Sequence, residues 1–255
     1  MSIESLKQKA RTAEQKEDWT KALELYKKAL TKLEGEDQVD IGLYNRVGDL
    51  HVRVDEVDQA LEHYQKAVEL YRDAYLPNNA IAVCKKILRS VPDHHRAFLV
   101  IGQIRAEQGF IPDARANFLT YAERVQQEGE LDESFRALVE FCDLAPDDVG
   151  VRLTVAEQMA SHGREHDAVE QLLIVRDHYR EHDTPEKVAE IEAKILTLDP
   201  DADLSSADEE EDLGTGHAEG DPGEDLFGGE GGGRGGGAGG GRGGAGRAPP
   251  APAPG

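Results

Sequence analysis

From Ile41 to Ala202 the chain divides without a gap into three 54-residue stretches, 41–94, 95–148 and 149–202, which repeat one another in pattern. Each carries an alanine at its twentieth position (Ala60, Ala114, Ala168), and each runs to its end through a Pro-Asp pair (Pro92-Asp93, Pro146-Asp147, Pro200-Asp201). Self-similarity at such a period means one supersecondary unit stacked on the next, and so a solenoid that grows by neighbours rather than closing around one globular core.

The units read as helices. Residues 3–33 form a helical hairpin, with Ile3, Leu6, Ala10 and Ala13 tracing one apolar face and Ala22, Tyr26, Ala29, Leu30 and Leu33 a second, and Gly35 suited to the stop. The first of these helices is thinly apolar and heavily charged, which suits an N-terminal cap over 1–40 with one face in water. Each repeat then holds three helical patterns. The first carries Tyr44, Val47 and Gly48, repeated as Phe98, Ile101 and Gly102 and then as Arg152, Val155 and Ala156. A mid-helix glycine costs up to about 1 kcal/mol relative to alanine, so its place here predicts a close helix crossing. The loss of the aromatic at Arg152 marks the third copy as the water-facing end.

The second pattern runs Ala60, Tyr64, Ala67, Val68, then Ala114, Phe118, Tyr121, Ala122, then Ala168, Leu172, Val175, Arg176, with aromatic knobs beside alanine gaps. The third is the most uniformly apolar: Val83, Ile87, Leu88; Ala137, Phe141, Cys142; Ile191, Ile195, Leu196. Proline ends this helix in each copy, the aspartate after it is placed to cap the next, and Thr184-Pro185 opens the last. The expected fold is therefore all-α, about eleven helices with short connections, in which an odd number of helices per repeat moves equivalent helices between the two layers of the stack.

These residues resemble the tetratricopeptide repeat, a 34-residue helix-turn-helix. Residues 41–74 match its pattern with Tyr44, Val47, Gly48, Ala60, Tyr64 and Ala67, and 95–128 match with Phe98, Ile101, Gly102, Ala114 and Phe118; 149–182 match loosely. An overlapping frame, 61–94, matches through Tyr64, Ala67, Tyr71, Ala80 and Pro92.

The periodicity stops after Pro200-Asp201. Residues 203–230 hold eleven acidic residues and neither Lys nor Arg, while 231–255 contain only Gly, Ala, Arg and Pro. Neither composition can bury a core, so both segments read as a disordered tail. The second has an alternative reading, as a shifted frame that truncates a longer array and leaves the N-terminal repeat domain of a larger enzyme or secretion-associated protein.

The formal charge is −22, from 51 acidic and 29 basic residues, which opposes nucleic acid and anionic membranes as partners and favours basic or neutral ones. There is no signal-peptide pattern and no 18-residue apolar run, so the expected compartment is the cytoplasm. Cys84 and Cys142 fall within apolar helical patterns and read as buried thiols. There is no phosphate-binding glycine motif. His178 and His182, four apart and flanked by Asp177 and Asp183, have metal-ligand spacing without an anchored third ligand, and His162, His166, His94 and His95 read as surface residues. No catalytic residue, metal or cofactor is assigned.

The expected function is a scaffold or adaptor binding a peptide or protein. In the family it resembles, the groove is lined by the first helix of each hairpin, and one subfamily grips a terminal carboxylate with a set of Lys, Asn and Arg. Lys7 matches that set, whereas Arg11, Arg46 and Arg96 stand where other residues are required, with Asn45 one position from register. The candidate partner-binding residues are Lys7, Arg11, Asn45, Arg46, Arg53 and Arg96. A basic group of this kind suits an acidic segment, and the chain's own tail at 208–225 supplies one within reach.

Overall fold

The computed structural model describes residues 1–36 and 39–204. The two tail segments expected to be disordered lie outside the described residues from Ser205 onward. Among the described residues eleven helices follow one another: α1 (Ile3–Gln15), α2 (Trp19–Gly35), α3 (Ile41–Arg53), α4 (Val57–Asp73), α5 (Pro77–Ser90), α6 (Arg96–Glu107), α7 (Ile111–Gln127), α8 (Leu131–Leu144), α9 (Val149–Ser161), α10 (Glu165–Glu181) and α11 (Pro185–Leu198). No strand occurs among the described residues. Each helix packs mainly on its neighbours in sequence, as the apolar stripes dictate. On α4, for example, Ala60, Tyr64, Ala67 and Val68 are buried at helical spacing.

The connections fall into two kinds. Seven contain a residue at positive φ, namely Glu17, Asp55, Tyr75, Gly109, Gly129, Gly163 and Asp183. In each of these turns the next N–H bonds back five residues, as in Asp18 to Ala13, Leu76 to Tyr71 and Glu130 to Val125 at 3.0, 2.8 and 2.9 Å. Paired with the shorter bond from the positive-φ residue itself, this is the Schellman closure, which satisfies orphan carbonyls at a helix end and turns the chain sharply into the next helix. The Pro-Asp connections after α5 and α8 lack it.

The aspartates of those pairs do not cap. The N-caps of α6 and α9 are His95 and Asp148, and neither makes a side-chain cap bond. Pro92 stands four residues before α6 begins at Arg96 and Pro146 three before α9 begins at Val149, which leaves Asp93 and Asp147 short of the cap position. Side-chain caps come instead from Ser2, Asp18 and Asp40.

Side chains also bridge helices two apart. Arg46 of α3 reaches Glu14 of α1 at 2.6 Å, and Lys86 of α5 reaches Asp49 of α3 at 2.7 Å. Arg72 of α4 reaches Gln103 of α6 at 3.3 Å, and Gln103 in turn donates to Glu140 of α8 at 2.6 Å. Lys194 of α11 reaches Glu157 of α9 at 2.9 Å. Odd-numbered and even-numbered helices thus form two rows, with α3 in one and α6 in the other.

The mid-helix glycines are close crossings. A Cβ on Gly48 would stand 2.6 Å from the Tyr64 ring, and one on Gly102 would stand 2.7 Å from the Phe118 ring. Nothing larger than hydrogen fits, so the knob and the gap are one joint. The third copy departs from expectation here. Arg152 is not water-facing but 4 % exposed, donating to Gln171 and Asp143 at 2.6 Å each. Its guanidinium carries its own partners inward. Arg176 is buried likewise, against Asp177.

Candidate functional site

α4 and α6 lie side by side over α5, and between them opens a cleft of about 410 Å³. Its floor is apolar: Val68 from α4, Cys84 and Ile87 from α5, and Ala97, Leu99 and Val100 from α6. Burial raises the pKa of the Cys84 thiol to about 12, and that of Cys142 to about 11.

The rim is polar. Gln65 meets His94 at 3.3 Å, and Arg72 spans the cleft to Gln103 and to Glu107 at 2.8 Å. At the opposite end from Glu107, in the first turn of α6, stands Arg96, which is exposed and makes no hydrogen bond or ion pair among the described residues. His94 is half-buried rather than a surface residue, and desolvation, followed by the charges of Arg96 and His95, holds its imidazole below the usual range. His95 is no surface residue either, with Nε2 3.1 Å from Glu128 and Nδ1 buried without a partner. The sequence pattern gives α4 and α6 as amphipathic helices; it does not show that their row leaves a gap.

The residues singled out from sequence are distributed differently. Lys7 is held by Asp40 at 2.7 Å and its pKa is raised by that bond, while the pKa of Arg46 is raised by its bond to Glu14. Asn45 accepts from Lys86 at 2.9 Å. Arg53 stacks over Trp19 with 4.5 Å to the ring centroid, and Arg11 is exposed without a partner among the described residues. These five lie on the odd row, on α1 and α3, and four of them are already engaged. Arg96 lies on the even row. The structure therefore brings Arg46 to Glu14 and Lys7 to Asp40, and it does not bring Arg96 to them.

Among the histidine pairs, His178 and His182 stack at 4.2 Å, and His182 Nδ1 is spent on the carbonyl of His178. His166, Asp167 and Glu170 come together on α10, but Asp167 already pairs with Arg164 at 2.8 Å. Among the described residues no helix is long and apolar enough to cross a membrane.

Helical hairpins in series, closed by Schellman turns and locked by a glycine against an aromatic, are the building plan of one repeat class. The architecture is tetratricopeptide-like. No protein-family model matches the chain and no curated protein matches it. Solved structures similar to it include the Rap conjugation gene regulator of plasmid pLS20 in complex with the Phr* peptide, at 14 % identity over 76 % of this chain and TM-score 0.32. The chain spans only 57 % of that regulator. A tetratricopeptide repeat protein of Parabacteroides merdae shares 18 % identity, with 77 % of this chain and 93 % of that one covered and TM-score 0.25. The TPR2AB domain of yeast Sti1 in complex with pHSP90 shares 13 %, with 77 % and 85 % covered and TM-score 0.23. The architecture itself rests on the hairpin geometry.

Proposed function

We propose that this chain is a protein-interaction scaffold that holds an extended, acid-bearing peptide in the cleft between α4 and α6. The observation carrying this reading is the pairing of an apolar floor with Arg96, a guanidinium at the mouth with no partner among the described residues, in a chain whose net charge is −22. A guanidinium grips a carboxylate in bidentate fashion, and the floor takes an aliphatic side chain.

The test is fluorescence anisotropy with a labelled peptide in which Glu flanks Leu-Val, titrated against the full chain. Arg96→Glu should weaken binding by at least about tenfold, and Arg46→Glu, on the other row, should leave it unchanged. Retention of binding by Arg96→Glu, or equal loss in both variants, would reject the cleft.

A further inference from the structure

The turn from α4 to α5 carries an exposed apolar group that the cleft does not use. Tyr75 is 91 % exposed, and Leu76 and Phe110 beside it are also exposed. The α4–α5 and α6–α7 turns are adjacent: Gln108 donates to Asn78 at 3.5 Å, and Tyr75 and Glu107 line one hollow together with Glu69, Arg72 and Asp73. Aromatic and aliphatic side chains set out together at one edge of a solenoid form the centre of a contact surface rather than scattered exposure.

The surroundings select what sits there. Glu69, Asp73 and Glu107 line the hollow with Arg72; Glu107 pairs with Arg72 at 2.8 Å and Glu69 with Lys66 at 3.2 Å, so Asp73 supplies the uncompensated charge. Asp73 has no hydrogen bond or ion pair among the described residues. Five other aromatic rings among the described residues hold a cation. Trp19 carries Arg53, Phe110 carries Arg105, Tyr179 carries Lys187, Phe135 carries Arg164 and Tyr64 carries Lys86, each cation 4.5 to 5.8 Å from the centroid. Tyr75 has neither a cation nor a ring against it among the described residues.

We infer that the Tyr75, Leu76 and Phe110 edge is a second docking surface, for a basic segment of another protein in which Lys or Arg alternates with an aliphatic residue. The cation lies over the Tyr75 ring with its charge toward Asp73, and the aliphatic residue covers Leu76 and Phe110. This surface adjoins the cleft, with which it shares Glu69 and Arg72, but Tyr75, Leu76 and Phe110 lie outside the cleft.

Its geometry supplies an unusual control. Tyr75 sits at φ +55, a left-handed conformation that a bulky residue adopts under strain, and the equivalent turn 54 residues later, after α7, has Gly129 at φ +91. Tyr75→Gly therefore removes the ring without unfolding the chain and without changing its charge. The experiment titrates the full chain into two labelled peptides, Gly-Arg-Leu-Lys-Leu-Gly and Gly-Glu-Leu-Glu-Leu-Gly, by anisotropy, with amide NMR shifts to locate the contact and light scattering for self-association. The basic peptide should bind with shifts at 73–79 and 107–110. Tyr75→Gly should weaken it about tenfold while raising the melting temperature, and Asp73→Asn should weaken it by a smaller factor and flatten its salt dependence. Equal binding of the basic peptide by Tyr75→Gly would overturn the site, as would shifts located elsewhere. A concentration-dependent mass abolished by Tyr75→Gly would assign the surface to a second copy and overturn the proposed occupant.

Discussion

The α6–α7 crossing and the α9–α10 crossing occupy equivalent places in the repeat but are built from opposite materials. In the first, Phe98 and Gly102 meet Ala114 and Phe118 in a continuous apolar joint, and Phe118 is wholly buried. In the second, Ala156 packs with Leu172, and the aromatic's place is taken by Arg152, bonded to Gln171 and Asp143. The backbone joint tolerates either, provided that volume is filled and every buried polar group finds a partner. The apolar joint draws on burial and close fit, whereas the polar one draws on bonds that substitution or titration can break.

The largest effect falls on the apolar joint. Phe118→Ala should destabilise by about 3–5 kcal/mol, because the cavity lies between α6, α7 and α8 and cannot collapse without moving all three; urea unfolding reads it, and a loss under 1 kcal/mol would show that the joint is not close-packed. Next comes Arg152→Ala, expected to cost about 2–3 kcal/mol. It strips the buried Gln171 of its partner, whereas Asp143 turns to solvent. Arg152→Met keeps the stem volume and should recover part of that loss, which thermal melts of the two variants compare.

Gly102→Ala and Ala156→Gly form a mirrored pair with a smaller effect. The first gains helix propensity but drives a methyl into the Phe118 ring, for a net loss of about 1–2 kcal/mol; the second loses about 1 kcal/mol of propensity with no clash. If Gly102→Ala raises the midpoint, the ring gives way and the close crossing is not required.

The smallest effect is with pH and lies outside both joints. His51 is fully buried, its Nδ1 meets Glu56 at 2.7 Å and its Nε2 has no partner, so burial holds the folded pKa below the ordinary value. The unfolded chain then takes up the proton first, and stability contributed by neutral His51 is full above about pH 6.5 and declines as pH falls through that value. His51→Leu should flatten this part of the pH–stability curve; an unchanged slope would assign it to other groups.

Much of this could be read from the chain alone. The spacing of Ala60, Tyr64, Ala67 and Val68 and its recurrences specify amphipathic helices, and Gly48 and Gly102 announce close crossings because a glycine in mid-helix has a local cost that only a contact offsets. Gly109, Gly129 and Gly163 signal their turns and Asp55 and Asp183 do so more weakly, while Glu17 and Tyr75 adopt the same turn with no residue signature. Arg152 was legible as a lost aromatic but not as a buried cation, because Asp143 and Gln171 reach it from other helices. The basic residues show the same limit: sequence indicates which helix and which face, but α3 and α6 stand in different rows of the stack, separating Arg96 from Lys7, Arg46 and Arg53. Periodicity is local, a property of one helix and its neighbours, so the sequence by itself determined the helices, their order and their inward faces. Pairing across two helices, the gap between α4 and α6, and the freedom of Arg96 and Tyr75 depend on which surfaces the stack brings together, and only the tertiary structure decided those.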